Sequence, residues 1–202
     1  MPDSEGWTPA PGEAAANIVW YVPIGVWVAA LLFAALAIWW APRPLTRAVV
    51  IDQLLRYLFF FPLGVQALWA FFGHVFLAEV SAASIGWAPS PFQFEVGVAN
   101  LGLALASFYA AFSGFQARAA TVVAAACFLV GAGLIHIQDI VEEGNFAPGN
   151  AGPIMITDFL TPIVILVLLL ATPRHSSSPP RLNEGLEIAR KTMHTALRKP
   201  GK

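Results

Sequence analysis

Five ionisable side chains lie inside or at the ends of apolar stretches: His74, Glu95, His136, Asp139 and Asp158. Charged or titratable groups are costly in such surroundings and suggest a site by default. Two chemistries suit them. Mixed imidazole and carboxylate groups can ligate a divalent cation such as zinc, manganese or iron, and carboxylates in a low-dielectric setting either hold a proton or bind a cation. His136 and Asp139 are three residues apart, on one helix face, so both can reach one ion, with His74 and Glu95 completing the set. Asn100, Asn145, Asn150 and Asp158 extend the set of ligand- or proton-binding candidates. His74 and His136 alone could instead clamp a haem between two helices. The competing reading is a hydrogen-bonded lock at the water interface. Glu79, Glu142 and Glu143 read as solvated loop residues.

The elements that must position these groups are membrane spans. The chain is 57% hydrophobic and only 11% charged, with a mean hydropathy of +0.67; a soluble domain carries about 25% charge. Long apolar stretches run near residues 17–41, 48–78, 95–115, 119–140 and 154–172. Each can cross a hydrocarbon core of roughly 30 Å, which takes ~20 helical residues. The expected architecture is all-α: a four-helix bundle from the last four spans, with the first helix on its flank. Residues 1–16 read as a flexible acidic segment, 17–172 as the transmembrane domain and 173–202 as a basic tail.

Charge orders the topology. Arg43, Arg47, Arg118 and the seven bases of the tail fall on alternate connections, and the segments between them hold Glu79, Glu142 and Glu143 without a base. The positive-inside rule then predicts an outer N-terminus and a cytoplasmic C-terminus. The five candidates thereby converge at the outer ends of four helices, at a level without Lys or Arg. The first 16 residues lack a basic start, so the first apolar stretch is expected to persist as a span. A multi-pass protein of a bacterial inner membrane fits this pattern.

Finer features carry further expectations. Ala99, Gly102, Ala106 and Ala110, with Glu95 at the end, form a small-residue face suited to close helix packing. Asp52 and Arg56 have the acid-first i,i+4 order of a helical ion pair. Pro62 is expected to kink the second span, and Pro148-Gly149 to form a type II turn. The loops at 79–93 and 141–153 are long enough to cap the bundle. Phe59–Phe61 reads as lipid-facing or core. The single cysteine, Cys127, excludes an intramolecular disulfide and reads as a small buried side chain. Leu182, Leu186, Ala189, Met193 and Ala196 give the tail an apolar face, predicting an interfacial helix on anionic lipid. No basic patch outside the tail suggests nucleic acid as a partner. No interface is legible, although a homodimer or larger membrane complex suits so small a protein.

The segments GHVFLAEVSAASIGW-x-x-SPFQFEVGVANLG, FLVGAGLIHIQDI and NFAPGNAGP, with Asp158 beyond, resemble a family of small uncharacterised bacterial and archaeal integral membrane proteins. The resemblance covers about residues 70–165. It implies a membrane location and a polar motif of His74, Glu95, Asn100, His136, Asp139, Asn145, Asn150 and Asp158, without a role for any of them. A weaker resemblance, through EVGVANLGLALASFYAAFSGFQARAATVVAAA, is to the four-helix DoxX-like membrane proteins, some of them linked to quinone-dependent redox systems. No catalytic motif is present. The functional expectation is an outward-facing acidic and histidine site that binds a cation or polar ligand or passes protons. The alternatives are a membrane subunit of a quinone- or haem-linked redox system, or a structural subunit without a ligand.

Overall fold

The computed structural model describes residues 11–173 together with 190, 191 and 193. Among the described residues the chain is helical, with no strand. Its elements are α1 (Pro11–Trp39), α2 (Arg47–Leu58), a π-helical stretch (Phe59–Val65), α3 (Gln66–Phe76), α4 (Ala78–Ile85), α5 (Phe92–Ala111), α6 (Phe115–Glu143) and α7 (Pro153–Leu170). The run Arg47–Phe76 is one continuous helical span, and with α1, α5, α6 and α7 it makes five helices long and apolar enough to cross a membrane. These helices form one compact unit that ends at Thr172. Beyond Pro173 only Arg190, Lys191 and Met193 are described, each helical. The rest of the amphipathic tail, like residues 1–10, lies outside the described residues.

Composition explains the pairing of the helices. α3 packs along α5, and α6 along α7. Both contacts close on a glycine: a Cβ at Gly97 would sit 2.5 Å from Val75 Cγ2, and one at Gly133 would sit 2.6 Å from the Phe159 ring. The expected packing face of α5 is corrected. Ala99, Gly102 and Ala106 are exposed, and Ala110 alone of that stripe is buried. The buried face is Gln93, Gly97, Asn100, Ala104, Ser107 and Ala111, together with Ala110. Small size fits a residue for close packing, but the polar Gln93 and Asn100 have the stronger claim on the interior, because lipid offers them no hydrogen bond.

α1 lies against α2, the π-helical stretch, α4 and α7. It buries Val26, Ala30 and Ala34 at four-residue spacing and leaves Ile24, Val28, Leu31 and Leu32 exposed. It is not wholly without a polar link, since Trp27 Nε1 donates to Thr161 Oγ1 at 3.2 Å. Pro62 stands within the π-helical stretch. A proline lacks the N–H of the α-helical ladder and crowds the carbonyl four residues back, and wider turns relieve that conflict. Phe59 is fully buried there, and Phe61 stacks on Phe33 and Tyr57.

One end of the bundle is locked by charge. Asp52 accepts from Arg56 at 3.3 Å, the expected pair, and from Arg118 at 2.8 Å. Arg118 is buried and also donates to the carbonyls of Ala110 and Ala111 at 3.2 and 3.1 Å. It therefore caps the last turn of α5, whose carbonyls have no partner within their own helix. The short turn between α5 and α6 places it there.

At the opposite end, part of the first expected loop is the helix α4, closed by Gly86 at φ +86°. The loop after α6 is fastened to it. Gly149 N donates to Ser84 O at 2.8 Å, and a Cβ on Gly149 would meet that carbonyl at 2.7 Å. Positive φ occurs only at Gly86 and Gly144 among the described residues, so the expected type II turn at Pro148-Gly149 does not form. Asn150 N closes the turn on Ala147 O at 2.9 Å instead, and Gly149 is needed for close approach.

Candidate functional site

Between α3, α5, α6 and α7, beneath α4, lies a cavity of about 570 Å³, within the size range that holds one small molecule. Most of its wall is apolar, including Leu63, Ala67, Val96 and Leu103. Seven lining residues break that pattern with side chains able to accept or donate: Gln66, His74, Ser81, Ser84, Asn100, His136 and Asp158. Two tryptophans, Trp69 and Trp87, also line it.

The imidazoles are anchored by their rear nitrogens. Asn150 is fully buried, and its Nδ2 donates to the carbonyls of Asn145 at 2.8 Å and His136 at 3.4 Å. Its Oδ1 therefore faces His136 Nδ1 at 2.7 Å, and that nitrogen must carry the hydrogen. In the neutral ring, Nε2 is then an acceptor. His74 is held alike, with Nδ1 against Gln93 Oε1. Trp87 stacks over the His136 ring, centroids 6.0 Å apart.

Asp158 is only 4% exposed. Its Oδ2 stands 3.9 Å from His136 Nε2, too far for a direct hydrogen bond, and no other described residue donates to it. Gln66 Nε2 donates to Thr157 Oγ1 at 3.2 Å, but Gln66 Oε1 is buried without a partner. The amide Nδ2 of Asn100 is used by Val96 O at 2.9 Å. The polar lining therefore includes the Asp158 carboxyl and two imidazole Nε2 atoms as acceptors, beside the Ser81 hydroxyl and the Trp69 N–H, which can donate. What fits those acceptors is a group that brings donors.

The sequence-predicted residues divide into three. His74, Asn100, His136 and Asp158 meet in the cavity wall. Asp139, Asn145 and Asn150 form a clamp beside it. Asp139 Oδ2 accepts from Trp87 Nε1 at 2.9 Å and from Asn145 Nδ2, while Asn145 Nδ2 also reaches Ile85 O at 2.8 Å. Glu95 is exposed on α5 and does not line this cavity. The expected metal set of His74, Glu95, His136 and Asp139 is thus not gathered. Among the described residues no three His, Cys, Asp or Glu side chains stand close enough to hold one ion. The physical reason is angular: Glu95 points away from the face that carries Asn100, and Asp139 is consumed by two donors. Cys127 is exposed rather than buried, and it lines the cavity edge.

Sequence reasoning missed Gln66, Gln93 and Trp87. The signal for Gln66 was available, since a lone amide in an apolar span needs partners as a charge does.

A family model matches residues 20–178 of the chain. The chain belongs to DUF6790, a family of unknown function. No curated protein and no solved structure matches it.

Proposed function

We propose that this DUF6790 chain is an integral membrane binding protein whose cavity takes a small molecule with a hydrogen-bond-donating or positively charged head. The observation that carries this reading is the facing pair of His136 Nε2 and Asp158 Oδ2, 3.9 Å apart with no donor from the described residues between them. A hydroxyl, amine or ammonium placed between them would satisfy both. The apolar wall would hold the rest of the ligand. The segregation of bases read from the sequence supports a site near the outer face of a bacterial inner membrane.

The test uses n-octylamine, n-octanol and methyl octanoate as probes, followed through quenching of Trp69 and Trp87 emission in the detergent-purified chain. The amine and alcohol should bind, the acceptor-only ester should bind at least tenfold more weakly, and Asp158→Asn should weaken the amine at least tenfold. Equal binding of all three probes, unchanged in Asp158→Asn, overturns the proposal.

A second reading has one specific observation in its favour. Both His74 and His136 fix Nδ1 on a side-chain carbonyl, as metal-ligating histidines do with the ring nitrogen that faces away from the metal, and both line the same cavity. A haem held between them would fit the redox role that the DoxX-like likeness suggests. A Soret band in the purified chain, lost in His136→Ala, would support it, and a colourless protein after expression with haem supplied would refute it.

A further inference from the structure

The cavity has a rim as well as a wall. Its lining residues with exposed side chains or surfaces are Leu77, Val80, Phe92, Cys127, Gly131 and Ile135. None of the six is charged or a strong hydrogen-bonding residue. Of the polar lining residues, Asn100, His136 and Asp158 are buried and Gln66 and His74 half-buried. A mouth that opened to water would present the reverse order.

The position of the rim on α6 is decisive. Cys127, Gly131 and Ile135 follow one another at four-residue spacing and form a single stripe along the helix. Cys127 lies twelve residues after Phe115 and sixteen before Glu143, the ends of α6. At 1.5 Å per residue that is roughly 18 Å from one end and roughly 24 Å from the other. In a helix crossing a hydrocarbon core of roughly 30 Å, a residue exposed at that depth touches lipid. α5 lines the same cavity through Phe92, Val96, Asn100 and Leu103. The two helices are tied together at their other ends by the short turn and by Arg118.

Resting on the binding role proposed above, we infer that the cavity is loaded sideways from the bilayer, through a slit between α5 and α6. The ligand is then a membrane-dissolved, single-chain amphiphile with a compact donor head, such as a long-chain alcohol or amine. Its head passes inward to Asp158 and His136, and its chain remains in the apolar mouth at Phe92, Cys127 and Ile135.

The experiment uses the full chain in phosphatidylcholine nanodiscs with 1-hexadecanol as probe. The single cysteine allows a spin label at Cys127, whose collisions with lipid-soluble oxygen and with a water-soluble nickel chelate are compared. Uptake of hexadecanol is followed through tryptophan emission in wild type and in Gly131→Phe. A Cβ at Gly131 meets nothing within 4 Å, so a larger side chain there starts in open space at the slit. Oxygen should reach the label at least tenfold more readily than the chelate, and Gly131→Phe should slow uptake at least tenfold. Equal access by the chelate, or equal uptake rates with hexadecanol bound in both proteins, overturns the lateral route and leaves the binding role standing. Binding of octylamine without hexadecanol overturns the ligand class alone. Binding of neither overturns both.

Discussion

His136 Nε2 and Asp158 Oδ2 face each other at 3.9 Å inside the helical bundle, each on a different helix and each without a donor from the described residues. A carboxyl that served only to lock α6 to α7 would be bonded to that imidazole. Replacing Asp158 with Leu therefore separates a binding group from a structural one. Loss of a buried polar group without a hydrogen-bond partner recovers about 1–3 kcal/mol, so the ligand-free variant should melt higher than wild type by thermal unfolding in detergent. A lower melting temperature would identify a lock.

Asn150 should behave in the opposite way. It is fully buried and bonds His136 Nδ1 and the carbonyls of His136 and Asn145. Asn150→Leu leaves these groups unpaired at roughly 1–3 kcal/mol each when buried. The melting temperature should fall sharply, and octylamine binding should weaken because the His136 ring loses its orientation.

The exposed and clamped acids should leave binding intact. Glu95→Gln is expected to change neither stability nor octylamine affinity, since Glu95 is exposed and does not line the cavity described above. Asp139→Asn should lower stability by about 1 kcal/mol through weaker bonds to Trp87 and Asn145, with affinity unchanged. A tenfold loss of octylamine affinity in Glu95→Gln would restore it to the site.

Much of this arrangement could be read before any coordinates. Hydropathy located the spans because backbone groups in lipid must pair within their own helix, and the Asp52–Arg56 pair followed from spacing alone. Facing was harder. Ala99, Gly102 and Ala106 suggested a packing stripe, yet three glycines elsewhere, Gly64, Gly97 and Gly133, make the close contacts. Periodicity marks a face but does not say whether that face meets a neighbour or lipid when both are apolar. The cavity itself was illegible, because it depends on how α5 and α6 diverge from their shared turn. So was the use of Asp139, whose donors come from Trp87, 52 residues away, and from Asn145.

The two classes of glycine give a direct check. Gly133→Ala drives a methyl group against the Phe159 ring and should cost about 1–3 kcal/mol as overpacking. Gly102→Ala meets open space and should be neutral or stabilising by about 0.5–1 kcal/mol from helix propensity. Unfolding temperatures of the two variants in the same detergent decide between them, and equal effects would refute the assigned faces.

Arg118 should rank among the costliest single positions. Arg118→Met removes one of the two donors to Asp52, which stays half-exposed and paired with Arg56, and takes the side-chain donor from Ala110 O and Ala111 O; a buried carbonyl left unpaired costs about 1–3 kcal/mol. Asp52→Asn alone should cost less, read as a melting temperature above that of Arg118→Met.

The fastening of α4 determines which parts of the molecule travel together. α4 follows α3 in the chain, but the backbone breaks at Leu77, while Trp87, Ile85 and Ser84 at its far end are hydrogen-bonded to Asp139, Asn145 and Gly149. The short helix is thus hinged to one wall and latched to the other. A rigid tilt of α6 would therefore carry the far end of α4 with it through the Trp87–Asp139 bond.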